Sequence, residues 1–257
     1  MAVTATTEDR IGYITLDRPP ANSYDRTFIE ELGAATDQLD SDDDVRVIVV
    51  RSSSEKFFSA GADVKNFAES DADTNNDMVR LAHRVFDRFG AIDKLTIAAI
   101  NGHALGGGYE IALACDVRIA AEGRYRIGLP EVTLGLLPGT GGTQRLPRLI
   151  GRGRALLLMT TGTSVTPDEA ARLGMVDRLV PAEELTDHVR EVASTIARGA
   201  PLAIAATKRA VHRGVDRPLA EGLQIELDEL APLFGSEDGA EGMAAFLEKR
   251  SPEYQGR

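Results

Sequence analysis

The sequence predicts an α/β fold over the first two-thirds of the chain and an all-α region after it. Short runs of β-branched residues, such as Val45 to Val50, alternate with segments of helical spacing up to about Gly142. Beyond that point the strand signals mostly stop, apart from Met175 to Val180. From Pro181 to Lys249 one helical pattern follows another. This order is typical of one large α/β domain with a smaller helical region at its C-terminal end.

The first predicted elements are a strand, a helix and a second strand. Residues Ile11 to Asp17 alternate apolar and polar side chains and end at Arg18-Pro19-Pro20, where the prolines favour a turn. The segment from Arg26 to Leu39 carries its apolar residues at helical spacing. Val45 to Val50 is an almost continuous β-branched run, which indicates a strand that is buried on both faces.

The next part of the chain is expected to be less regular. A loop rich in serine and glycine runs from Ser52 to Lys65, and an acidic, mobile stretch follows around Asp71 to Asn76. Helical spacing then predicts a helix from about Asp77 to Phe89.

Strands and helices alternate again in the centre of the chain. Thr96 to Ile100 and Val117 to Ala120 are short strand-like runs, and a helix of small residues is expected at Glu110 to Ala114 between them. Thr166-Pro167-Asp168-Glu169 has the pattern of a helix start, with a hydroxyl at the N-cap, proline at N1 and glutamate at N3.

Composition and charge narrow the classes of protein. The chain has 257 residues and a formal net charge of −11, so its overall field disfavours binding to nucleic acid. No apolar run reaches the roughly 20 residues that span a bilayer, and the N-terminal residues lack the apolar core of a signal peptide. We therefore expect a soluble, cytoplasmic protein that binds no membrane. The single cysteine, Cys115, excludes an intrachain disulfide, and the four histidines lack metal-ligand spacing, so no metal site is expected.

Three glycine-bearing loops are candidates for binding: Phe58 to Asp63, Gly106 to Glu110 and Pro138 to Thr143. The third lacks the Gly-Lys-Ser/Thr of a phosphate-binding loop, and the second has neither the place nor the spacing of a dinucleotide fingerprint. The second loop joins a strand to a helix. The amides near Gly107 should therefore lie at a helix N-terminus, where their partial positive charge suits a developing oxyanion.

Two glutamates, Glu110 and Glu131, are candidates for acid/base chemistry. Glu110 lies in the first turn of the helix after the second loop, and Glu131 follows Pro130 at another predicted helix start. Taken singly, each is more commonly an acid that stabilises a helix N-terminus. Taken with the amides of the first two loops, they suit chemistry at the β-carbon of a polarised carbonyl compound. One carboxylate can take a proton from water while the other donates a proton to the adjacent carbon.

Five segments resemble the crotonase, or enoyl-CoA hydratase/isomerase, family, in order and over nearly the whole chain. They are Phe57 to Lys65, Asn101 to Glu110, Leu129 to Gly139, Gly141 to Leu146 and Glu241 to Arg250. The resemblance implies a crotonase-like ββα spiral core over residues 1–195 and a C-terminal helical trimerisation region over residues 196–257. It also implies assembly into a homotrimer or a dimer of trimers.

The resemblance implies an enoyl-CoA hydratase that adds water to a trans-2-enoyl-CoA to give a 3-hydroxyacyl-CoA. By position, the backbone amides of Ala62 and Gly107 match an oxyanion hole for the thioester carbonyl, and Glu110 and Glu131 match the two catalytic glutamates. We expect Glu131 to protonate the α-carbon and Glu110 to activate water. Gly139 matches a glycine whose amide helps to orient this water or a carboxylate.

Other activities of the same family remain open at this point. An enoyl-CoA isomerase or an acyl-CoA hydrolase would use the same oxyanion hole, and a non-catalytic acyl-CoA-binding protein is a further alternative. The presence of both Glu110 and Glu131 favours hydration, because the isomerases of the family commonly lack the first glutamate.

The resemblance also implies where the CoA part of the substrate binds, and it implies no separate cofactor. The matching positions are Pro20, Ala21, Ala60, Asp63, Val64, Lys65, Leu105, Phe234 and Lys249. Three departures from the family pattern bear on substrate choice. The segment Glu122 to Gly128 has one residue more than is usual, Tyr109 replaces a smaller residue, and Tyr24 replaces an aliphatic one.

Overall fold

Two sheets of mostly parallel strands form the centre of the molecule. The structure is a computed structural model that describes residues 1–257. The larger sheet has the order β1-β2-β3-β5-β7-β9 and the smaller sheet the order β4-β6-β8. The strands are β1 (Val3–Glu8), β2 (Ile11–Leu16), β3 (Val47–Ser52), β4 (Phe57–Ser59), β5 (Leu95–Ile100), β6 (His103–Leu105), β7 (Val117–Ala121), β8 (Ile127–Gly128) and β9 (Arg178–Val180). Only the pairing of β1 with β2 is antiparallel.

Eleven α-helices surround the sheets, and three short 3₁₀ turns lie at 131–134, 182–184 and 231–235. The helices are α1 (Arg26–Asp40), α2 (Val64–Glu69), α3 (Ala72–Ala91), α4 (Gly107–Ala114), α5 (Gly142–Ile150), α6 (Arg152–Thr161), α7 (Pro167–Leu173), α8 (Leu185–Ala197), α9 (Pro201–Gly214), α10 (Leu219–Leu230) and α11 (Glu237–Glu248). The predicted helix start at Thr166 is confirmed, because its side chain accepts a hydrogen bond from the amide of Glu169.

The alternating side chains of each large-sheet strand enter two different cores. On β3, Ile48 and Val50 pack into the main core with α1, α3 and α4, whereas Val47 and Val49 face a second core that α8 covers. Because both faces are covered, the strand needs apolar residues at successive positions. This is the physical reason for the β-branched run seen in the sequence.

Successive units of the chain repeat one pattern, a strand in the large sheet followed by a strand in the small sheet and then a helix. The pairs β3 and β4, β5 and β6, and β7 and β8 each place one strand in each sheet, and α2, α4 and the 3₁₀ turn 131–134 follow them. The architecture is therefore a ββα spiral with a helical C-terminal region, as predicted.

Several elements differ from the prediction. Strand β1 was not predicted, because its residues are largely polar and exposed. The short strand β4 lies inside the segment predicted as a loop. The stretch predicted to be mobile, Asp71 to Asn76, is instead the start of α3. Asp71 caps this helix by accepting a hydrogen bond of 2.7 Å from the amide of Thr74. Acidic residues are favourable at that end of a helix, which explains the acidic run without disorder.

The C-terminal helices fall into an attached part and an exposed part. Helix α9 is fixed to the larger sheet by Lys208, whose ammonium lies 2.8 Å from the buried carboxylate of Asp116. Helices α10 and α11 pack mainly on their neighbours in sequence and expose large apolar side chains. The predicted division between residues 195 and 196 falls just before the end of α8. None of the helices is both long and apolar enough to cross a membrane.

Candidate active site

The three strands of the smaller sheet all end at one edge, and the predicted site residues follow them. Ala62 comes after β4, Gly107 starts α4 directly after β6, and Glu131 begins the 3₁₀ turn after β8. Because β4, β6 and β8 run parallel, the chain leaves all three in the same direction. The topology therefore brings together loops that are about 45 and 24 residues apart in sequence, as ligand-binding loops of parallel sheets commonly are.

The first glycine loop lies directly against the start of α4. A Cβ atom at Gly61 would lie 2.7 Å from the carbonyl oxygen of Leu105 and 2.9 Å from the amide nitrogen of Gly107. Gly61 also has a φ of 87°, which L-residues with side chains rarely adopt. Glycine is thus required here for two backbones to approach, and the approach places Ala62 beside the N-terminus of α4.

The amides of Ala62 and Gly107 are the candidate donors. Neither is among the donors of the loop and cap hydrogen bonds, and an amide in the first turn of a helix has no partner within its own helix. The positive end of the α4 dipole adds to the field at Gly107. Two free, adjacent backbone donors can stabilise negative charge on a carbonyl oxygen.

Glu110 is buried, with 2% of its surface exposed, and its carboxylate is held by the loop before α5. Oε1 accepts hydrogen bonds from the amides of Thr140 at 2.8 Å and Gly142 at 2.7 Å. Oε2 accepts a short hydrogen bond from the hydroxyl of Thr140. All three hydrogen-bond partners of this carboxylate are donors, so in this structure Glu110 acts as a hydrogen-bond acceptor.

Glu131 has a different environment. Its Oε2 is buried and has no hydrogen-bond partner, and a Cβ atom at Gly106 would lie 3.1 Å from its Oε1. Burial, with a smaller contribution from the negative charge of Glu110, raises the pKa of Glu131 to about 7. Two carboxyl groups with such different surroundings suit different roles in proton transfer.

Tyr24 and Thr140 are site residues that the sequence analysis did not assign. A Cβ atom at Gly107 would overlap the hydroxyl of Tyr24, so this phenol lies against the predicted oxyanion amide. Burial and the negative charge of Glu110 raise the pKa of Tyr24, the Thr140 side chain acts in the opposite direction, and Glu131 raises it further. The signal available in the sequence was that Tyr24 replaces an aliphatic residue of the family pattern.

Most predicted CoA-binding positions lie on the segment after β2, on the first glycine loop or at the start of α2. The amide of Ala60 donates to the carbonyl of Ala21 at 2.9 Å, which joins the segment after β2 to the first glycine loop. Asp63 is the N-cap of α2 and accepts hydrogen bonds from the amides of Lys65 and Asn66. Lys65 has 84% of its side chain exposed, and its ammonium lies 3.9 Å from the carboxylate of Glu69 one helical turn along α2. Pro20, Val64 and Leu105 border the same segments.

Three other predicted positions lie apart from this group or differ in detail. The amides that hold the Glu110 carboxylate belong to Thr140 and Gly142, which flank the segment after Gly139. The part of Gly139 in orienting water or a carboxylate stays a prediction. Helices α10 and α11 with their connection, residues 219–249, form the exposed C-terminal segment. Phe234 and Lys249 lie on this segment and are not brought to the other predicted site residues within one chain.

Other chemistry finds little support in the structure. Burial, with a smaller contribution from Asp116, raises the pKa of the Cys115 thiol to about 12, and its side chain packs in the main core. Such a thiol is a poor nucleophile. No group of three or more His, Cys, Asp or Glu side chains is placed to hold a metal ion.

Comparison with known proteins gives one consistent family. The family model described as enoyl-CoA hydratase/isomerase matches residues 6–257. The Mycobacterium bovis protein named probable enoyl-CoA hydratase echA8 is 41% identical over 254 residues, covering 97% of this chain and 96% of that protein. The short-chain-enoyl-CoA hydratase of Clostridium acetobutylicum is 38% identical over 247 residues, covering 96% and 94%. A crystal structure of an enoyl-CoA hydratase from Geobacillus kaustophilus HTA426 has a TM-score of 0.97 at 41% identity, covering 100% of this chain and 97% of that one.

Proposed function

The chain belongs to the enoyl-CoA hydratase/isomerase, or crotonase, family, and we propose that it adds water to a trans-2-enoyl-CoA to give a 3-hydroxyacyl-CoA. Curated relatives at about 40% identity carry the name enoyl-CoA hydratase, and the protein is accordingly an enzyme of the hydro-lyase class. The observation that carries the specific reaction is the pair of unlike carboxyl groups, Glu110 and Glu131, beside two free amides.

The thioester carbonyl binds in this proposal to the amides of Ala62 and Gly107. Negative charge gathers on the carbonyl oxygen as hydroxide adds at the β-carbon, and the two donors stabilise it by hydrogen bonds. Such preorganised donors act without reorganising during the reaction, and loss of one typically costs on the order of 10²- to 10³-fold in rate.

The two glutamates divide the proton transfers. Glu110, fixed as a hydrogen-bond acceptor, takes a proton from the attacking water, whose oxygen bonds to the β-carbon. Glu131, whose pKa is raised to about 7, keeps its proton in a substantial fraction of molecules at neutral pH and donates it to the α-carbon. The product gains one water in a syn addition, and proton exchange with solvent then restores both carboxyl groups.

The CoA part of the substrate lies along the mouth of the site, from Pro20 and Ala21 to Lys65. Lys65 supplies a flexible positive charge for phosphate, in a protein that is otherwise acidic. We further propose a homotrimer or a dimer of trimers, in which the exposed C-terminal segment packs on another copy and brings Phe234 and Lys249 toward the adenine end. The large exposed apolar side chains of this segment support that assembly.

Product analysis separates hydration from the two alternative activities. The purified enzyme is given a trans-2-enoyl-CoA and a 3-enoyl-CoA in parallel, over a series of acyl chain lengths, and the acyl products and free CoA are quantified. We expect 3-hydroxyacyl-CoA from the 2-enoyl substrates. Migration of the double bond without hydration would identify an isomerase, and release of free CoA would identify a hydrolase. Either result, with no hydroxyacyl product, contradicts the proposed function.

A further inference from the structure

Thr140 is fixed by three polar contacts in the loop before α5. Its amide donates to Oε1 of Glu110 at 2.8 Å, and its hydroxyl donates a short hydrogen bond to Oε2 of the same carboxylate. Its carbonyl accepts from Arg145 at 3.0 Å, and Arg145 also forms an ion pair with Asp87 of α3 at 2.5 Å. Only 3% of Thr140 is exposed, so bulk water has little access to its hydroxyl.

The acceptor positions of the Glu110 carboxylate are unequally occupied. An ionised carboxylate can accept about four hydrogen bonds, two at each oxygen. The amides of Thr140 and Gly142 take both positions at Oε1, and the Thr140 hydroxyl takes one position at Oε2. Glu110 therefore has a single acceptor position that no protein group takes, and this position belongs to Oε2.

The two oxygens of Glu110 are held by different kinds of donor. Oε1 is held by backbone amides, and Gly142 must approach it closely, because a Cβ atom there would lie 3.0 Å from Oε1 and 2.7 Å from Leu129. The bond to Oε2 depends instead on a side-chain hydroxyl. Without this hydroxyl, Oε2 would have two open acceptor positions, and water at the second one would be poorly aligned with the β-carbon.

We propose that the Thr140 hydroxyl, by occupying one acceptor position of Glu110 Oε2, restricts the attacking water to the other position. In the reaction the water oxygen bonds to the β-carbon while one of its O–H bonds breaks and that proton passes to Oε2. The electrons of the double bond move to the α-carbon, which takes its proton from Glu131. Thr140 is thus a positioning residue that acts through Glu110. The inference rests on the proposed hydratase function, because it concerns the base of that reaction.

The charged side chains near this carboxylate leave the role to the hydroxyl. Arg145 is directed to the carbonyl of Thr140 and to Asp87, and it does not bond to Glu110. Glu131 carries the same charge sign as Glu110 when it is ionised, and its own Oε2 makes no hydrogen bond. The Thr140 hydroxyl is therefore the only side-chain donor to Glu110.

The first test is the hydration kinetics of Thr140→Val, which keeps the amide and the branched shape and removes the hydroxyl. We expect kcat to fall at least about 10-fold with KM changed less than about 2-fold, because the change affects water and not substrate binding. Thr140→Ser keeps the hydroxyl and should retain kcat within about 3-fold of the wild type. The matched control is Thr36→Val, which removes a fully buried hydroxyl that donates only to the carbonyl of Leu32 within α1 and should leave both parameters unchanged.

Exchange of the substrate's α-proton distinguishes a misplaced water from a damaged site. Butanoyl-CoA has no double bond to hydrate, but its α-proton can pass to ionised Glu131 and be replaced by a deuteron from D₂O, without a part for Glu110. Exchange is followed by NMR at a pD above the Glu131 pKa of about 7. Thr140→Val should exchange within about 2-fold of the wild-type rate while its hydration falls. Equal losses of exchange and hydration, a rise in KM, or a Thr140→Ser variant as slow as Thr140→Val would overturn the proposal.

The positioning role of Thr140 and the hydratase function can fail separately. Crystal structures of the wild type, Thr140→Val and Thr140→Ser need no turnover. We expect Glu110 Oε2 to keep its place in Thr140→Ser, and to rotate or to bind a second water in Thr140→Val. If the wild-type enzyme hydrates no enoyl-CoA, the proposed function fails while these structures still test the role of the hydroxyl. An unchanged carboxylate with unchanged bound water in Thr140→Val, in an active enzyme, overturns the role of Thr140 alone.

Discussion

Glu110 and Glu131, the two proposed catalytic glutamates, differ because protein groups hydrogen-bond the first carboxylate and leave Oε2 of the second without a partner. The backbone and hydroxyl of the loop before α5 replace the water that Glu110 loses on burial. Glu131 loses water at Oε2 without such replacement, so its charged form is disfavoured. These different contacts support the proposed roles of Glu110 as the base and Glu131 as the acid.

The raised pKa of Glu131 predicts a pH-dependent gain in stability for Glu131→Gln. The folded-state pKa of Glu131, about 7, lies above the pKa of 4.5 for a glutamate in the unfolded chain, so the wild type loses stability as the pH rises between these values. Allowing for partial exposure, the variant should be about 2 kcal/mol more stable than wild type at pH 8 and nearly equal to it at pH 4.5. Chemical denaturation at both pH values measures the difference. An exposed control, Glu8→Gln, should show no such change, and an equal effect of Glu131→Gln at both pH values would contradict the account.

At the scale of residues, the sequence allowed the pair to be predicted but not the difference between its members. Glu110 and Glu131 could be found because each follows a recognisable loop. Their partners could not be found in the same way, since Thr140 lies 30 residues from Glu110 and the loop that carries it has no pattern of its own that points to a carboxylate. The sequence identified Tyr24 only as a departure from the family pattern and gave it no role in the site.

Among the elements, the proposed oxyanion hole depends on how closely the loop after β4 approaches the start of α4. The contact at Gly61 is between backbones, so it has no flexible side chain that could yield to a larger neighbour. A shift of the loop would move the amide of Ala62 away from that of Gly107. Rate should therefore be more sensitive than stability to this contact, because donors of an oxyanion need defined positions.

Gly61→Ala tests this contact. The added methyl would meet the Leu105 carbonyl and take up a φ of 87°, so we expect about 2 kcal/mol of lost stability and a fall in kcat of at least about 100-fold. Denaturation and steady-state kinetics measure the two effects. Gly153→Ala is the control, because nothing lies within 4 Å of its Cβ position at the exposed start of α6, and it should be neutral or slightly stabilising. Normal kcat in Gly61→Ala would refute the proposed role of the loop.

Helices and strands whose apolar residues recur at regular spacing could be predicted from the sequence. Short strands that form only because they pair with distant segments could not. The helix at Arg26 and the buried strands β3, β5 and β7 follow from the spacing and branching of their own residues. Strands β4, β6 and β8 have two or three residues each and exist because they pair with one another. The acidic run before α3 was misjudged, since its charges stabilise a helix start rather than a mobile loop.

At the scale of the whole molecule, the C-terminal segment is left with an uncovered apolar surface. Its exposed large apolar residues are Leu219, Leu223, Leu227, Leu230, Phe234, Met243, Phe246 and Leu247. Contiguous surfaces of this kind mark protein–protein contacts in soluble proteins. The surface supports the proposed trimer, in which a second copy covers what one chain leaves exposed.

Phe246→Glu tests the assembly. The side chain is 83% exposed in one chain, so the substitution should leave the fold of the monomer intact and, if the surface is an interface, place a charge in it. We expect sedimentation to show smaller species than the wild type at the same concentration. Gln38→Glu adds a like charge on the exposed face of α1 and should not change the sedimentation profile. An unchanged assembly in Phe246→Glu would place the interface elsewhere.

Hydration by two unlike carboxyl groups makes the rate at which Glu131→Gln hydrates crotonyl-CoA the decisive measurement. The loss of the conjugated enoyl-thioester absorbance is followed for the wild type and the variant, with binding of a CoA thioester as the control for a folded site. The account predicts turnover by the wild type and a loss of at least about 10²-fold in the variant, with binding retained. Near-normal hydration by Glu131→Gln would contradict it.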